Sequence, residues 1–293
     1  MSKAMTPEAR TESLIEALPY IQEFRGQTFV IKYGGAAMED EEIVDEFLRD
    51  VVFLEAVGIN PVVVHGGGKA ITARMREAGL KAQFVNGLRI TDATAIRIVE
   101  GTLDGEINPA IVRTIRAFGG RAIGLSGKSV FLARQLPPQA AEDGRMLDIG
   151  FVGEALAMKV EAIREAIANE IVPVISPIGA TEDGVVLNIN ADVAAAALAA
   201  ELQATKLIFV SDVPGIMRDP EEKNSLIPSL TVKQTESLIK QKVIGGGMIP
   251  KVRSAEAALR KGVKKTHLIG GHVHHGLLLE IFTNAGIGSE IVP

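Results

Sequence analysis

Phe29-Val30-Ile31-Lys32-Tyr33-Gly34-Gly35 joins an apolar run to a lysine, a tyrosine and two glycines. The β-branched and aromatic residues from Thr28 to Ile31 predict a short buried strand. A lysine at the end of a buried strand is costly unless an anion meets it, and paired glycines let backbone N–H groups approach a ligand. The segment therefore suggests one side of a phosphate site, with an ordinary strand exit and an extended lysine as the alternative.

A second apolar run, Pro61-Val62-Val63-Val64-His65, has the continuous pattern of a parallel strand that is covered on both faces. Gly66-Gly67-Gly68 follows, and the next residues predict a helix from about Ala70 to Ala78. Three glycines at a helix N-terminus offer several N–H donors to a phosphate or carboxylate. The alternation of strands and helices predicts an open α/β sheet.

The bulk composition limits the class of protein. The chain has 293 residues, 47% of them hydrophobic, which suits one large α/β domain or two closely joined lobes. The net charge of -5 argues against binding nucleic acid through its phosphates. With no cysteine, no secretory signal in Met1 to Glu23 and no apolar segment of membrane-spanning length, we expect a cytoplasmic protein.

The remaining chain continues the same alternation. Further helices are predicted at 6–24, 41–57, 92–103, 107–118, 161–169, 232–240 and 250–261, with an alanine-rich one ending near 202. Further strands are predicted at 121–125, 171–175, 206–210 and 266–269. Hairpins are expected at 81–91, within 135–160 and through Asp183-Gly184, and a helix and strand close the chain near Val292. We expect both halves to share one sheet.

Two polar segments carry the strongest further signals. Asn188, Asn190 and Asp192 alternate, so an extended segment would place them on one side, whereas helix capping explains only one of them. In Gly245-Gly246-Gly247-Met248-Ile249-Pro250-Lys251, a glycine run precedes a helix whose first turn carries a lysine. A cation at that end opposes the helix dipole unless a polyanion lies between them.

Three other motifs are weaker. Gly124 to Ser129 looks like a P-loop, but alanine stands at 122 where a glycine is required, and more strand is expected after it. The glycine run after His65 also occurs in hydrolases, but the chain lacks their G-x-S-x-G turn. The histidines between 272 and 275 lack the acids and spacing of a zinc site, so no metal site is predicted.

Five motifs in register connect the chain to a known family. They are Ile31-Lys32-Tyr33-Gly34-Gly35, His65-Gly66-Gly67-Gly68, Asn86-Gly87-Leu88-Arg89-Ile90-Thr91, Asn188-Ile189-Asn190-Ala191-Asp192 and Gly246-Gly247-Met248-Ile249-Pro250-Lys251. The set resembles the amino acid kinase family, and within it the branch that phosphorylates N-acetyl-L-glutamate. The resemblance covers about Thr28 to Pro293, and Leu18-Pro19-Tyr20-Ile21 extends it to the arginine-inhibited type.

The resemblance implies an α/β fold, a three-layer αβα sandwich around a mainly parallel open sheet. It implies an N-terminal helix at 1–26 for oligomer formation and regulation. A lobe at 27–180 would bind the amino acid and form the dimer contact, and a lobe at 181–293 would bind ATP and arginine. Homodimers would assemble into a homohexamer.

The resemblance also implies a role for each matching residue. Lys32 and Lys251 would flank the transferring phosphoryl group, and Asp192 would hold both lysines. Substrate contacts are implied for Gly67, Gly68, Arg89, Asn188 and Asn190. Nucleotide contacts are implied for Gly34, Gly35, Ser211, Asp212, Val213, Gly215, Gly246, Gly247 and Met248. An arginine site is implied for Tyr20, Lys206, His267, Glu280 and Gly288.

The implied activity is MgATP-dependent phosphorylation of the side-chain carboxylate of N-acetyl-L-glutamate, an early step of arginine biosynthesis with arginine as feedback inhibitor. Ala36 and Pro109 depart from the family pattern, which affects fine substrate positioning. The alternatives are a kinase of the same fold for carbamate, aspartate or a nucleoside monophosphate, and a non-catalytic arginine sensor. A dinucleotide oxidoreductase is excluded because G-x-G-x-x-G does not follow the first strand.

Overall fold

A computed structural model describes residues 6–38, 40–141, 143–219, 221–222, 224–284 and 286–293. The helices are α1 (Pro7–Phe24), α2 (Glu41–Ala56), α3 (Gly68–Glu77), α4 (Ala93–Glu100), α5 (Asn108–Ala117), α6 (Glu161–Ala168), α7 (Ala191–Glu201), α8 (Val232–Lys240), α9 (Met248–Arg260) and α10 (Gly276–Phe282). Across the described residues no helix is both long enough and apolar enough to cross a bilayer.

The strands are mostly short, and eight of them form the main sheet. They are β1 (Thr28–Tyr33), β2 (Asn60–His65), β3 (Phe84–Val85), β4 (Leu88–Arg89), β5 (Ala122–Leu125), β6 (Phe131–Gln135), β7 (Gln139–Ala140), β8 (Met146–Leu147), β9 (Val152–Met158), β10 (Val172–Ile175), β11 (Ile178–Ala180), β12 (Val186–Ile189), β13 (Lys206–Ser211), β14 (Ser229–Thr231), β15 (Lys265–Gly270) and β16 (Ser289–Val292).

The main sheet has the order β14-β16-β15-β13-β1-β2-β10-β5. All its pairings are parallel except β15 with β16. Strand β1 lies in the middle, between β2 and β13, so the two halves of the chain share one sheet as predicted. Strands β6, β9, β11 and β12 form a separate small barrel.

The side chains of β1 explain the three layers. Val30 points into one apolar core with residues of α7 and α9, whereas Phe29, Ile31 and Tyr33 join the other core, which includes α2, α5 and α10. All four side chains are fully buried, because helices cover both faces of the sheet. The predicted αβα sandwich is therefore confirmed.

The structure corrects several element boundaries. The break predicted between the helices at 92–103 and 107–118 does not occur, because a π-helical turn, Gly101–Ile107, joins α4 to α5 in one continuous helix. Helix α3 begins inside the glycine run at Gly68, and α9 begins at Met248, before Pro250. Strand β14 was not predicted.

Candidate active site

A cluster of two buried charges, Lys32 and Asp192, and one partly buried charge, Lys251, lies beside the carboxyl end of β1. Lys32 is 7% exposed, and its Nζ lies 3.2 Å from Asp192 Oδ1 in an ion pair that lacks hydrogen-bond geometry. Lys251, in the first turns of α9, donates from Nζ to Asp192 Oδ2 at 2.7 Å. Two cations thus share one carboxylate, and a second carboxylate, that of Asp212, lies close enough to favour the charged form of Lys32.

Burial and pairing act in opposite directions on these groups. Burial lowers the pKa of Lys32, and the attraction of Asp192 offsets only part of this effect. Burial alone would raise the pKa of Asp192, but both lysines outweigh it and hold that pKa below its usual value. A further anion near Lys32 would favour its charged form, so the electrostatics fit an anionic ligand.

The Asp192 carboxylate does not cap α7 and can therefore pair with the two lysines. Asn190 caps α7, since its side-chain oxygen accepts hydrogen bonds from Asp192 N at 2.9 Å and Val193 N at 3.3 Å. The predicted extended segment ends at Ile189, and Asp192 lies in the helix. Asn188, Asn190 and Asp192 all line one cavity, and so do Ile189 and Ala191 between them.

Two cavities of about 750 and 790 Å³ adjoin the cluster, and Lys32, Gly35 and Asp212 line both of them. The first is also lined by the predicted substrate residues Gly67, Gly68, Arg89, Asn188 and Asn190. The second is also lined by the predicted nucleotide residues Gly34, Ser211, Val213, Gly215, Gly247 and Met248, together with Lys251. Gly246 alone among the predicted nucleotide residues is not part of that lining. Lys32 therefore lies between the two cavities, and Lys251 lines the second one.

Arg89 gives the first cavity a positively charged wall. Its guanidinium is buried, stacks at 4.7 Å on the Phe84 ring, and donates to Gly68 O at 2.7 Å and Thr72 Oγ1 at 2.9 Å. Burial lowers its pKa, and none of the acids in the described part of the chain forms an ion pair with it. A buried arginine with neutral partners is suited to bind a ligand carboxylate.

A side chain would make close contacts at three cavity positions, and at Gly35 the positive φ favours glycine as well. A Cβ at Gly67 would lie 2.6 Å from Leu103 and 2.8 Å from Ile107, which the π-helical turn presents. Gly35 has φ +79°, and its Cβ would lie 2.1 Å from Asp212 Oδ1. At Gly34 a Cβ would lie 2.8 Å from Lys32 Nζ. These glycines leave room beside the charged groups.

The predicted arginine-site residues lie at the opposite, amino edge of the strands. Lys206 Nζ lies 3.2 Å from His267 Nε2, and His267 Nδ1 lies 2.6 Å from Glu280 Oε1. Glu280 Oε2 accepts hydrogen bonds from the backbone N–H of Ile287 and Gly288. Tyr20 does not join this network; its hydroxyl donates to Asn284 Oδ1 at 2.6 Å, next to α10.

Sequence reasoning missed several residues around the cavities. Thr72 follows Gly68 by one helical turn, a spacing that could have identified it. The segments 217–219 and 242–244 carry no phosphate-binding motif, although they line the second cavity. His274 and His275 pair with Glu46 and Asp50 on α2, and the described residues contain no group of three or more metal-ligating side chains suited to a metal ion.

Fold and site together define a kinase: a mainly parallel sheet carries two cavities that meet at a lysine–aspartate–lysine cluster. The family model described as "Amino acid kinase family" matches residues 27–270. Acetylglutamate kinase of Akkermansia muciniphila is 51% identical over 281 residues, covering 95% of this chain and 94% of that protein. Acetylglutamate kinase of Aquifex aeolicus is 48% identical, covering 96% and 97%. The chain therefore belongs to the acetylglutamate kinases of the amino acid kinase family.

Solved structures agree with this assignment. N-acetylglutamate synthase from Neisseria gonorrhoeae, complexed with coenzyme A and N-acetyl-glutamate, superposes with a TM-score of 0.83 at 25% identity. The match covers 97% of this chain but only 63% of the synthase. Giardia carbamate kinase, at 16% identity and a TM-score of 0.65, shares the fold over 91% of this chain and 99% of its own.

Proposed function

We propose that the protein transfers the γ-phosphoryl group of MgATP to the side-chain carboxylate of N-acetyl-L-glutamate, giving N-acetyl-L-glutamyl 5-phosphate for arginine biosynthesis. The observation that carries this proposal is the meeting of two cavities at Lys32: one contains Arg89, which forms no ion pair with an acid among the described residues, and the other lies beside a glycine run. An amino acid carboxylate fits the first cavity, and the nucleotide fits the second.

The chemistry needs charge stabilisation more than proton transfer. A glutamate-type carboxylate, with a pKa of about 4.3, is ionised at pH 7 and needs no general base. Its oxygen attacks the γ-phosphorus while the bond to the β–γ bridging oxygen breaks, and ADP leaves with that oxygen. Lys32 and Lys251 would neutralise the charge spread over the loose transition state.

The remaining residues would position the two anions. Arg89 would hold the α-carboxylate of the substrate, with Asn188 beside it. The glycines at 34, 35, 67 and 68 would offer N–H groups to phosphate or substrate. Magnesium would enter with the phosphates of ATP, as is usual for this small cation.

Regulation and assembly form the finer part of the proposal. Arginine would bind beside Lys206, His267, Glu280 and Gly288, with Tyr20 of α1 nearby. Helix α1 has exposed apolar side chains, including Leu14 and Ile15, which suits contact with another subunit in a homohexamer. Substrate binding by 27–180, nucleotide binding by 181–293 and a cytoplasmic location complete the proposal.

Capture of the acyl phosphate by hydroxylamine tests the proposed reaction. The purified protein, MgATP and N-acetylglutamate should give a hydroxamate, and added arginine should decrease its yield. ADP release with carbamate, aspartate and nucleoside monophosphates supplies the controls. Faster turnover of any of these would reject the substrate assignment. Arginine binding without any turnover would instead favour the sensor.

A further inference from the structure

His65 is a buried titratable residue with no role in the proposed chemistry. It ends β2 immediately before Gly66, Gly67 and Gly68, and it is fully buried. Its Nδ1 lies 2.9 Å from Gly66 O, and its Nε2 lies 3.3 Å from Asn108 Nδ2. The ring therefore connects the glycine run to the first residue of α5.

The neighbours of the ring select one tautomer. Asn108 Nδ2 also donates to Val174 O at 2.9 Å, which fixes the orientation of this amide and makes Nδ2 the donor toward His65. Nε2 must then accept, so Nδ1 carries the hydrogen and donates to Gly66 O. Burial lowers the pKa of His65 to about 4, against the opposing effect of the Gly66 carbonyl and Asp104, so the ring is neutral at pH 7.

Gly66 is held from both ends of its backbone. Its N–H donates to Tyr33 O at 2.6 Å, and its carbonyl accepts from His65. The chain has no cis peptide among its described residues, and in a planar trans peptide the carbonyl and the next N–H point to opposite sides. Because the Gly66 carbonyl faces the buried ring, the Gly67 N–H points away from that ring, and Gly67 lines the first cavity.

We propose that His65, fixed by Asn108 as the neutral Nδ1–H tautomer, is a positioning residue that aims the Gly67 N–H into the first cavity. This inference rests on the proposed function, since that N–H would meet the phosphoryl group or the attacking carboxylate. A donor aimed in advance at developing charge stabilises the transition state more than the bound substrate. If the Gly67 N–H loses this orientation, kcat should therefore fall, whereas KM for N-acetylglutamate should stay nearly unchanged.

Two substitutions of His65 distinguish the effect of its N–H donor from the effect of its side-chain volume. His65→Leu removes the hydrogen bond to Gly66, and we expect kcat to fall about 100-fold, the scale for loss of one oriented donor. His65→Asn keeps an N–H near the position of Nδ1, and we expect kcat within about tenfold of the parent. Equal kcat losses in both variants, or a kcat unchanged in His65→Leu, would overturn the proposal. Thermal unfolding of both variants establishes that they are folded.

Ring ¹⁵N chemical shifts test the tautomer without any activity measurement. The parent protein, labelled at histidine and assigned by comparison with His65→Asn, should show a neutral Nδ1–H ring at pH 6 and at pH 8. A ring protonated at Nε2 would reject the inference even if the variants are inactive. If the parent does not phosphorylate N-acetylglutamate, the proposed function fails, and the ring shifts still decide the state of His65.

Discussion

Two clusters of buried charge lie at opposite edges of one sheet, and they differ in how well their carboxylates are satisfied. At the carboxyl edge, Asp192 faces Lys32 and Lys251, and both lysines line cavities. At the amino edge, Glu280 accepts hydrogen bonds from His267 and two backbone N–H groups. The first cluster places two lysines beside cavities that a ligand could enter, whereas the acid of the second is satisfied by His267 and the backbone. Burial alone thus does not distinguish a reactive cluster from a stabilising one.

Lys32→Ala should give the largest effect and test the reactive role of the carboxyl edge. We expect kcat to fall about 10²- to 10³-fold, and at least as strongly as nucleotide affinity, because one of two cations at the transition state is lost. Lys265→Ala, at an exposed lysine of the amino edge, is the matched control and should keep the parent kcat. Steady-state kinetics measure kcat for both variants. An unchanged kcat in Lys32→Ala would show that Lys32 does not act on the transferring phosphoryl group.

Glu280→Gln tests whether the amino edge acts through stability. Burial alone would raise the pKa of Glu280, but His267 and the N–H groups of Ile287 and Gly288 hold that pKa below its usual value. Such a carboxylate stabilises the fold above the ordinary glutamate pKa of about 4.3, and loses its contribution as the pH falls toward its own lower pKa.

The variant should therefore lose about 2 kcal/mol of unfolding free energy at pH 7, and less at pH 4. Urea unfolding at both pH values measures the difference. A loss that is the same at both pH values would show that the charge of Glu280 is not what stabilises this edge. The arginine response of the variant should also weaken if the regulatory proposal holds.

Sequence analysis predicted those features of the site that depend on residues close together in the chain. Strands β1 and β2 and their glycines were found because apolar runs and consecutive glycines are signals within a few residues. The join between α4 and α5 was missed because Gly105, between the two predicted helices, is a poor helix former, whereas in the structure Leu103 and Ile107 of the π-helical turn lie against Gly67. The pairing of His65 with Asn108 was missed for another reason. It joins residues on different elements, and only the parallel register of the sheet brings them together.

Arg89→Lys tests the third cation, which lies in the first cavity. A lysine supplies a point charge where the guanidinium offers a planar fork, so KM for N-acetylglutamate should rise about tenfold with a smaller change in kcat. Measuring KM for N-acetylglutamate and KM for ATP separately distinguishes an effect on the amino acid from an effect on the nucleotide. Arg74→Lys, at an exposed arginine of α3, is the control. A parent-like KM in Arg89→Lys would mean that another group binds the substrate carboxylate.

Asp50→Asn extends the comparison to a third buried acid, Asp50, which has fewer hydrogen-bond partners than Glu280. Asp50 is 1% exposed, its Oδ1 contacts His275 Nδ1 at 2.6 Å, and its Oδ2 has no hydrogen-bond partner within the described chain. Burial raises its pKa to about 6, against the effect of His275. A carboxyl whose pKa is higher in the folded state than in the unfolded chain costs stability as the pH rises, here between about pH 4 and pH 6.

Asparagine keeps the acceptor for His275 but has no charge to bury. The unfolding free energy of Asp50→Asn should therefore gain about 3 kcal/mol relative to the parent between pH 4 and pH 7, since each of roughly two pKa units corresponds to about 1.4 kcal/mol. Denaturant unfolding at the two pH values measures this gain, and its direction is opposite to that expected for Glu280→Gln. If both variants changed in the same direction, the pairing of each acid would not determine what its burial costs. The contrast between satisfied and unsatisfied carboxylates would then fail for this molecule.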